Sequence, residues 1–269
     1  MVRARQAAHN AWMSEPIDLV PLPDFRPPRL PGSLTVRATA DEAIDAAAFD
    51  LVIHSRNCIR TFGDFHVAIS TSDGVEPLLL RLMYDPALRD ISWKRTHVWL
   101  LDEIDDEAER GKSLRELFIP HSDIPDEQLH VIPSGPDGAN AYSRELRDTL
   151  EWREKGHDRL DFVLMEVQPD GGVPVAPGRA PGVLADAHLD GLAMTENLIN
   201  ASRFVAMLAV GESRAATLKK LEREWATAQS PSADGPTRGA LRLRLLGGEL
   251  RWYVDHAACG VKETPPRSD

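Results

Sequence analysis

Leu160-Asp161-Phe162-Val163-Leu164-Met165-Glu166-Val167-Gln168-Pro169-Asp170-Gly171-Gly172 is the stretch whose reading decides the fold. An apolar run rich in Val, Leu and Phe stops at a Pro-Asp-Gly-Gly turn, and Pro177-Gly178 follows a few residues on. A short, continuous apolar run bounded by turn residues reads as a strand buried on both faces, the habit of parallel sheets covered by helices. In such folds the loop that leaves the strand reaches the carboxyl edge of the sheet, where ligands bind.

Working outward, the same alternation recurs on both sides of this strand. Upstream, Phe65-His66-Val67-Ala68-Ile69 reads as a strand ending at the polar Ser70-Thr71-Ser72-Asp73-Gly74. Pro77 to Met83 reads as a helix, Thr96 to Leu101 as a second buried strand and Lys112–Phe118 as a helix. A short strand at His130-Val131-Ile132 and a helix over 139–153 with the stripe Tyr142, Leu146, Leu150 follow. Before them all, Ala43, Ile44, Ala47, Ala48, Leu51 and Val52 recur at helical spacing behind Asp41, a suitable cap. Downstream, Phe204 to Val210 is strand-like, Ala215–Trp225 helical, and Gln229–Arg238 a hydrophilic surface loop. Leu241–Leu246 and Glu249–Val254, around Gly247-Gly248, predict a closing hairpin. Strands alternating with helices predict a three-layer α/β domain. Prolines at 16, 21, 23, 27, 28 and 31 set off residues 1–32 as an extended arm that is partly ordered through Ile17, Leu19, Val20 and Phe25. The domain is expected over 33–260, with a tail at 261–269.

Composition narrows the function classes. The 269 residues are enough for a substantial core, with 42% hydrophobic and 27% charged residues. A net charge of −11 argues against nucleic acid or an anionic membrane surface as partner, since both need a cationic face. It leaves room for a phosphorylated small molecule, which needs only a local group of cations and backbone N–H donors. No segment reaches the ~18–20 apolar residues of a membrane span, and residues 1–12 lack the apolar core of a signal peptide. Cys58 and Cys259 stand far apart and near no metal-ligand pattern, so reduced thiols in a cytoplasmic protein are expected.

Taken in order, the blocks resemble the 6-phosphogluconolactonase and glucosamine-6-phosphate isomerase/deaminase superfamily from about Ala40 to Ala258. The opening stretch is similar to that family's Gly-Met-Gly-x-Asp-Gly-His loop, with Asp170 and Gly171 matching and Gly172 in the histidine's place. Trp99-Leu100-Leu101-Asp102-Glu103 resembles the Trp-x-x-Asp-Glu-Arg segment, with Ile104 where the arginine would stand. Ile124-Pro125 through Val131-Ile132-Pro133, Met194-Thr195-Glu196-Asn197-Leu198-Ile199-Asn200-Ala201 and Ala209-Val210-Gly211-Glu212-Ser213-Arg214-Ala215 resemble further framework segments. Trp252-Tyr253-Val254-Asp255-His256-Ala257-Ala258 resembles the C-terminal one. The resemblance implies a modified Rossmann-like, mostly parallel sheet with a small C-terminal mixed lobe. It also implies hydrolysis of 6-phosphogluconolactone to 6-phosphogluconate in the pentose phosphate pathway, with neither cofactor nor metal.

The departures gather at the site. Thr71 and Ser72 replace a glycine pair, Glu166 and Gln168 replace two glycines of the hallmark loop, and Gly191 replaces an arginine, while Arg214 keeps a cation where the family has lysine. The candidate catalytic residues are Asp102 and Asp170, each ending a strand at the ligand edge; the bland alternative is that each caps the next turn or helix. The candidate phosphate-binding residues are Ser70, Thr71, Ser72, Gly171, Gly172 and Arg214, for a phosphorylated sugar or sugar lactone. Glu103 is expected to pair with a cation or to be solvated. Glu166 is expected either to turn away or to repel a phosphate. His66, His97, His130 and His256 read as framework residues, His188 as a loop residue, and the acidic run 102–107 as a charged turn rather than a calcium loop. Two other functions stay open: a sugar-phosphate binder without catalysis, and an isomerase or deaminase using Asp102 and Asp170.

Overall fold

The computed structural model describes residues 26–103, 108–151, 153–154, 157–177, 189–190, 192–228 and 239–261. The expectations for the arm before residue 26, His188, Gly191, the 229–238 loop and the tail beyond 261 lie outside these residues.

The chain enters through an edge strand, β1 (Ser33–Arg37), and then a long helix, α1 (Ala40–Phe62). The helix is capped two residues earlier than the sequence suggests: the Thr39 hydroxyl accepts from Glu42 N at 3.2 Å, and Asp41 and Glu42 complement the dipole in the first turn. It ends where Gly63 takes φ 96°, a left-handed conformation that glycine adopts without strain. Its stripe from Ala43 to Cys58 is buried, as the 3.6-residue spacing requires. Burial pushes the Cys58 thiol up to about 12, which makes it inert at neutral pH, and both cysteines are free.

β2 (Phe65–Ile69), α2 (Glu76–Tyr84), β3 (Thr96–Leu100), α3 (Glu109–Phe118), β4 (Leu129–His130) and α4 (Gly138–Leu150) follow. The opening stretch forms β5 (Phe162–Glu166), with every residue buried. A two-stranded antiparallel ribbon, β6 (Leu189–Asp190) with β7 (Ala193–Met194), crosses the end of β3, and α5 (Glu196–Ala201) succeeds it. β8 (Phe204–Ala209), α6 (Ala215–Ala228), a short α7 (Gly239–Arg242) and β9 (Glu249–Asp255) complete the chain. Among the described residues no helix is long and apolar enough to cross a membrane.

The seven main strands run in the order β1-β9-β8-β5-β2-β3-β4, all parallel. β2 to β4 step outward one way; β5 then returns to the other side of β2, pairing Ile69 with Leu164. This reversal between β2 and β5 opens a crevice at the carboxyl edge, the usual ligand position in open α/β sheets.

Two local readings are corrected. Residues 33–37 form an edge strand that was not expected. The C-terminal hairpin does not form: 239–242 are helical, and β9 enters the main sheet between β8 and β1 instead of building a lobe of its own. The Leu-Arg alternation at 241–245 imitates a half-solvated strand. Here Arg242 pairs with Glu196 at 2.5 Å, and the Arg244 guanidinium lies 4.5 Å from the Trp225 ring centre. The two glycines differ: Gly247 takes φ 83° with open space around it, while a Cβ on Gly248 would lie 2.2 Å from the Ser202 carbonyl oxygen.

Candidate functional site

A cleft of about 480 Å³ opens at the β2/β5 switch point, between the loop after β2, the first turn of α3, the loop after β5 and the start of α6. Thr71, Ser72, Arg110, Glu166, Gln168 and Arg214 are among the residues lining it. Each is delivered by the end of a buried element, so the rigid sheet sets their spacing.

Backbone and side-chain ties hold these loops. Asp255, 3% exposed at the end of β9, accepts from Gly211 N and Ala258 N, both at 2.9 Å, and so fixes the loop that presents Arg214. The Thr217 hydroxyl in α6 donates to the Pro169 carbonyl at 2.7 Å and clamps α6 to the turn after β5. Glu103 is buried rather than solvated. Its carboxylate accepts from Arg110 N at 3.0 Å and Gly111 N at 2.9 Å, satisfying two orphan donors at the start of α3. A side chain at residue 111 would press on Val131, since its Cβ would lie 3.1 Å from that residue.

Two ion pairs dominate the electrostatics. Arg214 pairs with Glu166, and Arg110 pairs with Asp102; all four side chains are less than 20% exposed. Glu166 therefore faces the cleft. Its second oxygen accepts from Gly74 N at 3.1 Å, and a Cβ on Gly74 would lie 2.2 Å from its carboxyl carbon. Any larger residue at 74 would force the Glu166 carboxylate to move. Around these pairs, the buried hydroxyl oxygens of Ser70, Thr71 and Ser72, Asp102 Oδ1 and Arg214 Nε have no hydrogen-bond partner among the described residues. Buried polar groups of this kind are where a polar ligand gains most, because leaving them unpaired costs about 1–3 kcal/mol each. Burial lowers the Arg110 pKa while Asp73 pulls it the other way, yet a guanidinium stays charged throughout the physiological range.

The predicted residues divide into two groups. Thr71, Ser72 and Arg214 line the cleft, Ser70 lies at the end of β2 beneath it, and Asp102 reaches it through Arg110. Asp170, Gly171 and Gly172 form a tight turn beside it. Gly171 has φ 88°, Gly171 N donates to Gln168 O at 2.8 Å, Gln168 N donates to Gly172 O at 2.9 Å, and Gly172 N donates to Asp170 Oδ1 at 2.8 Å. Asp170 is exposed and closes this turn as an Asx cap, so the bland reading describes its geometry.

Sequence reasoning missed Arg110. The cation that the Asp-Glu-Arg pattern places directly after the acid pair comes here from the first turn of α3, seven residues beyond Glu103. The Glu109-Arg110-Gly111 helix start was the signal. Among the described residues no histidine lines the cleft.

The histidines cluster instead at the amino end of the sheet, beside a hollow of about 630 Å³ lined by Asp64, His97 and Glu145 among others. Trp99 Nε1–H donates to His66 Nδ1 at 3.1 Å, which places the His66 proton on Nε2, 3.2 Å from Asp64. His97 stacks on His66 with ring centres 4.5 Å apart and meets His130 at 3.0 Å, while His130 reaches Glu145 at 2.5 Å. Burial, then the neighbouring His66 and His130, push His97 down to about 3. Asp64, His66 and His97 lie close enough to hold a metal ion, and Arg153 also holds Asp64 at 2.5 Å. The cluster is a hydrogen-bonded and stacked network of strand residues.

A polar cleft lined by two arginines at the switch point of a parallel α/β sheet lies where such folds take small ligands. The profile of the family "Glucosamine-6-phosphate isomerases/6-phosphogluconolactonase" matches residues 38–173, and this chain belongs to that family. It is 27% identical to the 6-phosphogluconolactonase of Haemophilus influenzae, covering 82% of this chain and 95% of the relative. It is 26% identical to the GDH/6PGL endoplasmic bifunctional protein of Homo sapiens over 83% of this chain, and spans only 30% of that relative's length. The 6-phosphogluconolactonase of Thermotoga maritima shares the fold with a TM-score of 0.60 at 16% identity, covering 83% of this chain and 99% of that one. A monomeric glucosamine-6-phosphate deaminase does so with a TM-score of 0.63 at 16% identity, covering 86% of this chain and 100% of that one.

Proposed function

We propose that the cleft binds a phosphorylated sugar acid or its lactone and does not hydrolyse the lactone by an imidazole route. The observation that carries this reading is the lining. Two arginines and the hydroxyls of the β2 loop face the cleft, whereas Gly172 stands in the place where the resemblance expects a general base. A general base is worth roughly 10²–10⁴-fold in rate, so its loss leaves binding while removing most of the chemistry. In this reading the phosphate lies against the 70–76 loop and Arg214, and the sugar extends toward Arg110 and Asp102.

A second reading, proton transfer on a hexosamine phosphate, is favoured by one feature: Asp102 is buried, with Oδ1 lacking a partner among the described residues. Calorimetry with 6-phosphogluconate, set beside a pH-stat assay on fresh 6-phosphogluconolactone, tests the proposal. The expected result is saturable binding with hydrolysis no faster than in buffer. Turnover above buffer that disappears in Arg214→Ala overturns it. Release of ammonia from glucosamine 6-phosphate, lost in Asp102→Asn, replaces it with the second reading.

A further inference from the structure

The loop after β2 and the first turn of α2 form an anion seat. Gly74 N–H donates into it, Ser72 is only 9% exposed with its buried hydroxyl unpartnered among the described residues, and the Arg214 guanidinium closes the far side. An anion already occupies part of this seat. One Glu166 oxygen takes Arg214, the other takes Gly74 N at 3.1 Å, and the side chain is 11% exposed. Glu166 comes from the last residue of β5, so the sheet itself carries it there. The carboxylate satisfies only part of the seat, because the hydroxyls of Ser70, Thr71 and Ser72 have no partner among the described residues. A tetrahedral phosphate monoester presents more acceptor oxygens than a carboxylate and can engage those hydroxyls as well.

We propose that Glu166 is a built-in competitor for the phosphate group, a carboxylate that must leave Arg214 and Gly74 before a phosphate monoester can bind; this rests on the function proposed above. The charge balance makes the competition strong. Asp73, Glu109 and Glu166 line the cleft against Arg110 and Arg214, so a phosphate arriving while Glu166 stays in place meets like charge. Glu166 thereby sets selectivity: the seat admits a ligand whose phosphate gains more from Arg214, Gly74 N–H and the hydroxyls together than Glu166 gives up. A sugar without phosphate, docking toward Arg110, leaves Glu166 undisturbed.

The test compares the full chain with Glu166→Gln and Glu166→Gly by calorimetry, using 6-phosphogluconate, gluconate and inorganic phosphate, with melting temperatures recorded for each protein. Glu166→Gln keeps the shape and removes the charge; Glu166→Gly removes the competitor and matches the glycine that the resemblance places there. The expected result is a gain of roughly tenfold or more in affinity for 6-phosphogluconate and for inorganic phosphate in both variants. Affinity for gluconate should change less than about twofold, since one charge removed at this distance acts weakly on a ligand that never meets it. Folded variants that bind phosphate ligands no better than the native chain overturn the competitor while leaving the proposed function standing. If no protein, native or variant, binds 6-phosphogluconate or inorganic phosphate, the competitor and the proposed function fall together. Should one variant melt early, the other decides.

Discussion

Replacing Asp161 by asparagine tests the network that anchors β5 at the end opposite the cleft. Asp161 is fully buried and accepts from His66 N at 2.8 Å, Arg153 Nη1 at 2.9 Å and Nη2 at 2.8 Å, and Arg203 Nε at 3.0 Å. Asparagine keeps one acceptor oxygen and turns an N–H₂ group toward two guanidiniums. Arg153 keeps Asp64, and Arg203 keeps His157 at 2.8 Å and the face of Phe62 at 4.3 Å, so neither cation is stranded outright. The loss is thus two charge-assisted bonds plus a local repulsion, about 3–5 kcal/mol, in the range for breaking a buried pair. For a chain of this size that corresponds to a fall in melting temperature of roughly 6–20 °C. Calorimetric melting and urea unfolding of the native chain and Asp161→Asn measure it. Along β5 the cleft lies ~16 Å away at ~3.3 Å per residue, so affinity for 6-phosphogluconate should hold in the folded variant. A loss under about 1 kcal/mol would show that solvent replaces the carboxylate and would refute the reasoning.

Three further outcomes follow from the same geometry. Gly172→His places an imidazole beside Asp170 at a position without positive φ, where its Cβ would lie a tight 3.0 Å from Asp170 Oδ1; lactone hydrolysis should then exceed the buffer rate, toward the ~10²-fold lower bound for a general base, as read by pH-stat. His97 is depressed to about 3 from 6.5, so the unfolded chain binds the extra proton: stability is full above pH 6.5, falls as pH drops toward 3, and should fall less steeply in His97→Asn, measured by melting temperature against pH. Gly248→Ala drives a methyl to 2.2 Å from the Ser202 carbonyl and should cost about 1–3 kcal/mol in urea unfolding, whereas Gly63→Ala meets no atom within 4 Å and should cost only its left-handed backbone strain.

The sheet was legible because its strands are apolar throughout. β2, β5 and β8 have every residue buried, and only a both-faces-covered strand tolerates such a run. α1 and α4 were legible from their stripes. Reading failed where a pattern had a second physical cause. The Leu-Arg alternation at 241–245 comes from arginines satisfied by Glu196 and Trp225, not by water on one face of a strand. β1 lies at the edge with a mixed burial pattern, so five residues carried too weak a signal. At the site, the β2 loop and Arg214 could be placed because each directly follows a strand or opens a helix. The pairing of Asp102 with Arg110 could not, because it joins a strand end to a helix start across a loop, and linear spacing does not encode that distance. The orientation of Glu166 was left open for the same reason: the sequence shows a carboxylate at the edge, while only the fold shows Gly74 and Arg214 waiting for it.

The two departures at this cleft act on different steps. In the function proposed above, Gly172 withholds the group that would activate water, which affects the chemical barrier and leaves ground-state binding alone. Glu166 pairs with Arg214, and under the proposed competition that affects phosphate affinity and leaves the barrier alone. Neither disturbs the sheet, since Gly172 lies in a turn closed by its own backbone and by Asp170, and Glu166 is satisfied by Gly74 and Arg214. β5 is buried from Phe162 to Glu166, so neither position leaves a gap in the strand. If the proposal holds, binding and turnover are separable by single residues here, and the affinity gained by Glu166→Gly should be independent of the rate gained by Gly172→His. Non-additive behaviour in the double variant would mean that the carboxylate and the turn share a ligand contact, placing the sugar ring nearer to Asp170 than to Arg110.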